Sequence, residues 1–156
     1  MEKVAIKMKI QVFTTMRDCM NLMDIAKEPD FPCKLRFEDA KIYCNGDTVQ
    51  TYGIYNDDEL VSIMTATFCR VFPSKDSPTG KIVQISGAYT RPSYRHNGYA
   101  KKLLESIEEI AICYGYDYMC CDSIADDLYI KNGFIHAPEN ESRLWKPLRK
   151  ELIDEN

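Results

Sequence analysis

One stretch, Lys81–Tyr114, constrains the fold more than any other. A strand pattern, a short basic loop with one glycine and a helix pattern follow one another there without a break. Lys81–Thr90 has the composition of a strand. Lys101–Tyr114 has that of an amphipathic helix, with Ala100, Leu103, Leu104, Ile107, Ile110, Ala111 and Tyr114 forming one apolar stripe. Lys101, Glu105, Glu108 and Glu109 fall outside the stripe, where Lys101 can pair with Glu105 or Glu108, and Gly115 suits a C-cap. The loop between carries Arg91, Arg95 and His96, with Lys101 and Lys102 just inside the helix. No Asp or Glu occurs from Lys81 to Leu104, although the chain has a net charge of −4. A strand that runs through a glycine loop into a helix leaves first-turn N–H groups pointing outward, and the helix dipole favours an anion there. Gly98 lets backbone come close to a bulky anion, and Ala100 keeps the first turn slim. The expectation is a phosphate-bearing cofactor on Arg95–Ala100.

The rest of the chain supplies a sheet for that loop. Val4–Phe13 is expected to be a strand, and Thr15-Met16-Arg17-Asp18 a capping box for a helix running towards Lys27. Pro29 and Pro32 break the chain before a second helix, Leu35–Cys44, ended by Asn45-Gly46. Tyr52–Tyr55 and Leu60–Phe72 read as a hairpin across the polar turn Asn56–Glu59, followed by a solvated loop, Pro73–Gly80. After the central helix come a strand (Tyr116–Ser123), a short helix (Asp126–Asn132) stopped by Gly133, and strands at Phe134–His136 and Arg143–Leu148. Lys150–Asn156 reads as a polar tail. The order is strand, two helices, three antiparallel-type strands, helix, strand, short helix, strand, strand. It predicts an α/β fold with a mixed, mostly antiparallel central sheet flanked by helices, in a single domain over residues 1–156.

Composition removes several functions. The acidic balance argues against non-specific binding of nucleic acid or an anionic membrane. Lysines interrupt the apolar N-terminus, and no stretch reaches membrane-spanning length, so a cytoplasmic location is expected. The seven cysteines are odd in number and show no metal-ligand spacing, so neither a disulfide framework nor a metal site is expected. The glycine loop lacks the Lys-Ser/Thr of a nucleotide P-loop and the three spaced glycines of a dinucleotide fingerprint. On its own, the loop is equally compatible with a basic surface turn.

A second motif decides between these. Thr90-Arg91-Pro92-Ser93-Tyr94-Arg95-His96-Asn97-Gly98-Tyr99-Ala100 matches a Val-x-Pro-x-x-Arg-x-x-Gly-x-Gly/Ala pattern except that Thr90 replaces the usual aliphatic residue, and Leu128-Tyr129-Ile130-Lys131-Asn132-Gly133-Phe134 matches Leu-Tyr-x-x-x-Gly-Phe. With this spacing and the helix between them, the chain resembles the GNAT superfamily of acyl-CoA-dependent N-acetyltransferases from about Ile82 to Phe134. The flanks agree in element order only. The resemblance implies acetyl-CoA as co-substrate. It implies that the backbone of Ala88, Tyr89 and Thr90 holds the acetyl carbonyl and pantetheine arm. It implies that the N–H groups of His96, Asn97, Gly98, Tyr99 and Ala100, in the loop opened by Arg95, cradle the pyrophosphate, and that Tyr129 protonates the departing thiolate. Asp122 stands where many members have an Asn that touches the pantetheine arm. An acid there can accept an amide N–H or act on the incoming amine.

The acceptor is open at this stage: a small amine, an amino-acid derivative, an antibiotic or a protein N-terminus. The acidic first third (Asp18, Asp24, Glu28, Asp30, Glu38, Asp39) is compatible with a cationic acceptor. Asp122 and Glu59 are candidate bases, though each also suits a solvated turn or strand end. Trp145 can line an acceptor pocket or pack on the sheet, and Phe37, Tyr43, Tyr52 and Tyr55 can do either as well. A homodimer is compatible with the sequence. The alternative on the same fold is a catalytically weak acyl-CoA sensor or partner-binding module.

Overall fold

The computed structural model describes residues 8–45, 47–122, 127–138 and 140–149. Val4–Lys7 of the expected first strand, Gly46, Ser123, Ala125, Asp126 and the tail from Lys150 lie outside the described residues. The elements run β1 (Met8–Val12), α1 (Met16–Ile25), α2 (Phe37–Asn45), β2 (Val49–Asn56), β3 (Glu59–Arg70), β4 (Lys81–Thr90), a 3-10 turn (Pro92–Tyr94), α3 (Tyr99–Cys113), β5 (Tyr118–Cys121), α4 (Asp127–Lys131), β6 (Ile135–Ala137) and β7 (Asn140–Pro147). One seven-stranded sheet has the order β1-β2-β3-β4-β5-β7-β6. The β1–β2, β5–β7 and β6–β7 pairs are antiparallel and β4–β5 is parallel, the two strands being joined through α3. This is the mixed α/β class expected from the sequence. Among the described residues no helix is long and apolar enough to cross a membrane.

The chain forms two compact units, and β3, β4 and α3 run through both. The first comprises residues up to Thr65 with Gly87–Leu103. Its core gathers Phe13, Leu22, Ile25, Ala40, Tyr55, Leu60, Ile63 and Tyr89. The capping box forms as the spacing predicts: the Asp18 amide donates to Thr15 Oγ1 (3.2 Å), and the Thr15 amide donates to the Asp18 carboxylate (3.1 Å). The β2–β3 turn tightens to Asp57-Asp58, with Asp57 at φ 53°, a left-handed conformation that aspartate tolerates. Gly53 is required by packing, because a Cβ there would lie 2.5 Å from the Phe13 ring and 2.7 Å from Leu60. Gly53→Ala should therefore lose about 1–3 kcal/mol in a urea titration, the cost of overpacking a closed core. A loss near zero would mean that the Phe13 ring moves aside freely.

The second unit comprises Ala66–Ser86 with residues from Leu104 on. Along its part of α3, Leu104, Ile107 and Ala111 are buried, each large side chain contributing roughly 1.5–3 kcal/mol. Tyr114 does not join that stripe. It follows the last helical residue and is 67% exposed, while Gly115 (φ 77°) turns the chain. Glu108 meets Lys146 of β7 (2.8 Å). β3 ends at Arg70, two residues earlier than expected, because Val71 and Phe72 turn into the loop that the Val71 amide closes on the Gly80 carbonyl (2.7 Å). Phe72 is 94% exposed.

Candidate active site

The first unit contains the glycine loop and the end of β4, from Gly87 on, that leads into it. β5 pairs with β4 only over Ile82–Gln84, so the β5-side edge of β4 beyond Gln84 has no ladder partner among the described residues. Ser86, Gly87 and Ala88 are exposed in the middle of a strand that is otherwise largely covered, and a Cβ on Gly87 would meet nothing within 4 Å. Beyond the 3-10 turn, His96 (φ 67°) and Gly98 (φ 78°) are both left-handed. The glycine is needed there for its backbone, and the space above it is open, since a Cβ would again meet nothing within 4 Å. The Lys102 amide donates to the Gly98 carbonyl (3.1 Å), so the first turn of α3 opens directly on the left-handed glycine, where helix N–H groups have no carbonyl a turn earlier. An exposed strand edge running into a left-handed turn and a helix N-terminus fits a long ligand that ends in phosphates.

The arginines of this stretch do other work. Arg91 is buried, donating Nε to the Leu60 carbonyl (2.7 Å) and its two Nη groups to Glu28 and Asp24 (2.8 Å each). It locks the end of α1 to β4 and is not a ligand-facing cation, which corrects its place among the basic groups of the loop. Arg95 donates Nε to the Thr90 carbonyl (2.9 Å) and Nη2 to Asp30 (2.6 Å), and lies over the Tyr89 ring. Tyr89 also donates its hydroxyl to Asp30, and burial together with that carboxylate pushes the phenol up to about 12. The Thr90 carbonyl is thus already capped by a side chain, while Thr90 Oγ1 shares a hydrogen bond with Ser62 (2.8 Å). Asn97 folds back on the carbonyls of Tyr94 and Arg95. The Tyr99 hydroxyl accepts from Asn56 Nδ2 (3.0 Å), and Glu59 is occupied by the Tyr94 hydroxyl (2.6 Å). The acidic first third is largely committed as well: Asp18 to the cap, Asp24 and Glu28 to Arg91, Asp30 to Arg95, and Asp39 to Arg36.

Tyr129 and Asp122 belong to the second unit. Tyr129 is buried on α4 with its ring edge-to-face against Phe134 (5.3 Å). Its carbonyl accepts the amides of Asn132 and Phe134, closing the helix before Gly133 (φ 92°). Asp122, just past β5, accepts from Arg143 Nε (3.1 Å) and lies 3.5 Å from Gln84 Nε2. Cys120 and Cys121 are both buried, and burial raises the Cys120 thiol to about 11, which leaves little thiolate for nucleophilic chemistry at neutral pH. His136 Nδ1 lies 2.9 Å from the Glu141 carbonyl oxygen, a local turn contact. Trp145 is buried against Tyr118. Tyr52 and Tyr55 are core, whereas Phe37 and Tyr43 are exposed.

The family model of the acetyltransferase (GNAT) family matches residues 16–134. The chain belongs to that family. Its members' activity class, acetyl-CoA-dependent N-acetyl transfer, is therefore this chain's class too. No curated protein matches the sequence significantly. Solved structures share the fold at low identity. Arabidopsis thaliana NAA60 in complex with a bisubstrate analogue has a TM-score of 0.74 at 16% identity, over 90% of this chain and 98% of that one. A predicted acetyltransferase from Clostridium acetobutylicum with acetyl-CoA scores 0.69 at 20% identity, over 85% and 93%. The ribosomal-protein-S18-alanine N-acetyltransferase from Escherichia coli scores 0.68 at 12% identity, over 91% and 94%. The GNAT motifs locate the loop and Tyr129. Arg143, which faces Asp122, carries no sequence signal, because only the β5–β7 register brings it there.

Proposed function

We propose that this GNAT protein moves an acetyl group from acetyl-CoA to a primary amine by direct attack, with both substrates bound at once. The observation that carries the reading is the open edge of β4 beyond Gln84, running into the left-handed turn at His96 and Gly98. The thioester supplies an activated acyl carbon and a sulfur leaving group. On this reading the backbone of Ala88–Thr90 lines up with the pantetheine amides, and a fixed N–H of that edge faces the acyl oxygen as charge gathers on it. The amides of His96–Ala100 hold the pyrophosphate oxygens. As the N–C bond forms and the C–S bond breaks, Tyr129 gives its proton to sulfur, and the amine's proton leaves to a carboxylate or water. Asp122 is the carboxylate proposed to meet the amine.

Placing a charge in the turn tests the reading. Gly98→Glu puts a carboxylate into the open space above the loop, where it repels a pyrophosphate. The KM for acetyl-CoA is expected to rise by about 100-fold or more, since like-charge contact costs several kcal/mol. Gly98→Ala, which carries only the backbone strain of about 1 kcal/mol, should cost far less. Acetyl-CoA affinity by calorimetry, with CoA release read by chromatography, checks both variants. Equal affinity of Gly98→Glu and wild type would overturn the assignment of this loop.

A further inference from the structure

We infer that the acceptor carries a carboxylate close to its amine, as a free amino acid does, and that Arg143 is the residue that selects it. This rests on the reading that the protein acetylates amines and narrows that reading to a substrate class.

The argument lies within the second unit. Residues opposed across a ladder share a face of the sheet, as do residues two apart on one strand. The pairs Gln84–Cys120 and Cys120–Trp145 therefore put Gln84, Tyr118, Cys120, Arg143 and Trp145 on one face, and the Arg143 and Gln84 contacts bring Asp122 to it. Lys146, one residue on, faces the other way, to Glu108 of α3. The Arg143–Asp122 pair joins β7 to the end of β5, with side chains 34% and 61% exposed. An ion pair this exposed contributes only about 0–1 kcal/mol to folding, so stability is a weak reason for two charges here.

Recognition is a better one. With Nε on Asp122, the Arg143 guanidinium still offers a planar edge of Nη donors, whose geometry matches a carboxylate. Asp122 Oδ2, only loosely met by Gln84, can accept a hydrogen from an ammonium or amine. An anion subsite and a cation subsite then lie side by side, a spacing suited to a zwitterion. The indole Nε1 of Trp145, on the same face, is buried and finds no acceptor among the described residues. A purely cationic acceptor fits less well, because Arg143 already offsets the charge of Asp122 and the acids of the first third are largely committed elsewhere.

The test compares matched acceptors on the full chain: amino acids, their amides, their decarboxylated amines, aminoglycosides and short peptides, with acetylated product measured by mass spectrometry. The wild type should prefer an amino acid over its own amide or decarboxylated amine by about 10–100-fold in kcat/KM, the range of one charge-assisted contact. Arg143→Ala should remove that preference by a similar factor, through a KM for the amino acid that rises more than the KM for the amide or the amine. Arg143→Lys, which keeps the charge and loses the fork, should fall between, and thermal melts verify that each variant is folded. Acetylation of many amines without preference for a carboxylate overturns the inference alone, as does an Arg143→Ala loss that is equal for all acceptors. No product from any amine by a protein that binds acetyl-CoA overturns the amine-transfer reading as well.

Discussion

Replacing Asp117 by alanine is expected to cost about 3–5 kcal/mol of stability, the range seen when one partner is removed from a buried charged network. The Asp117 side chain is fully buried and accepts four hydrogen bonds: from Ser77 Oγ (2.7 Å), the Thr79 amide (3.0 Å), Thr79 Oγ1 (2.8 Å) and Arg149 Nη1 (3.1 Å). Its own backbone ties two more segments together, donating to the Lys81 carbonyl (2.8 Å) and accepting from the Leu148 amide (2.9 Å). Alanine leaves the side-chain donors without a buried acceptor, each costing about 1–3 kcal/mol where water cannot replace it. The loop from Pro73 to Gly80 and the strands β4 and β7 would loosen together. In a chain of this size the melting temperature should drop by about 10 °C or more. A drop of under about 2 °C, at the lower bound of what 1 kcal/mol produces, would show that the carboxylate is not what holds the loop.

Acid should find the same group. Burial works against the charge on Asp117, but the hydrogen bonds from Ser77, Thr79 and Arg149 outweigh it and hold the carboxyl below its ordinary value. Burial likewise opposes the charge on Asp18, and the donors of Thr14, Thr15 and Tyr55 overcome it. A carboxyl whose folded-state pKa is depressed stabilises the fold at pH above the unfolded value of about 4. That contribution is lost as pH falls from there through the folded value. Wild-type stability should therefore decline below about pH 4, and Asp117→Asn, with no proton to gain at that position, should decline less steeply.

How far these features can be read from the sequence depends on how local their causes are. The capping box at Thr15 and Asp18 and the stop at Gly133 are each set within a few residues, and the sequence pattern predicts both; it predicts the glycine turn at position 98 but not its left-handed angle. Arg91 is different. Its charge is visible in the sequence but its direction is not, because Asp24 and Glu28 come to it from over sixty residues away. The same distance hides the commitment of Asp24, Glu28 and Asp30, which composition alone offers as part of a cation site. Asp117 looks like an ordinary acid at a strand start until the loop forty residues earlier folds back onto it. Arg143 opposes Asp122 only once β7 has taken its antiparallel register on β5. Motif residues are legible because they need particular backbone angles. Pairings between distant side chains require the sheet first.

Tyr129→Phe carries the largest expected effect on the chemistry. The substitution keeps the ring that packs on Phe134 and leaves the backbone bonds that close α4, so stability should change by no more than about 1.5 kcal/mol, the range of one hydrogen bond. If the phenol protonates the departing sulfur, kcat should fall by about 100-fold or more, the range assigned to a positioned general acid. The KM for acetyl-CoA should stay within about threefold, because an interaction made only as the bond breaks does not contribute to ground-state binding. The leaving group separates this role from simple packing. A thiol far more acidic than that of coenzyme A departs without protonation, so an acetyl donor built on such a thiol should be used by wild type and variant at rates within about tenfold. A core tyrosine with no part in the reaction predicts no change in kcat with either donor. A steric defect predicts the same loss with both, and only the acid predicts a loss confined to the poor leaving group.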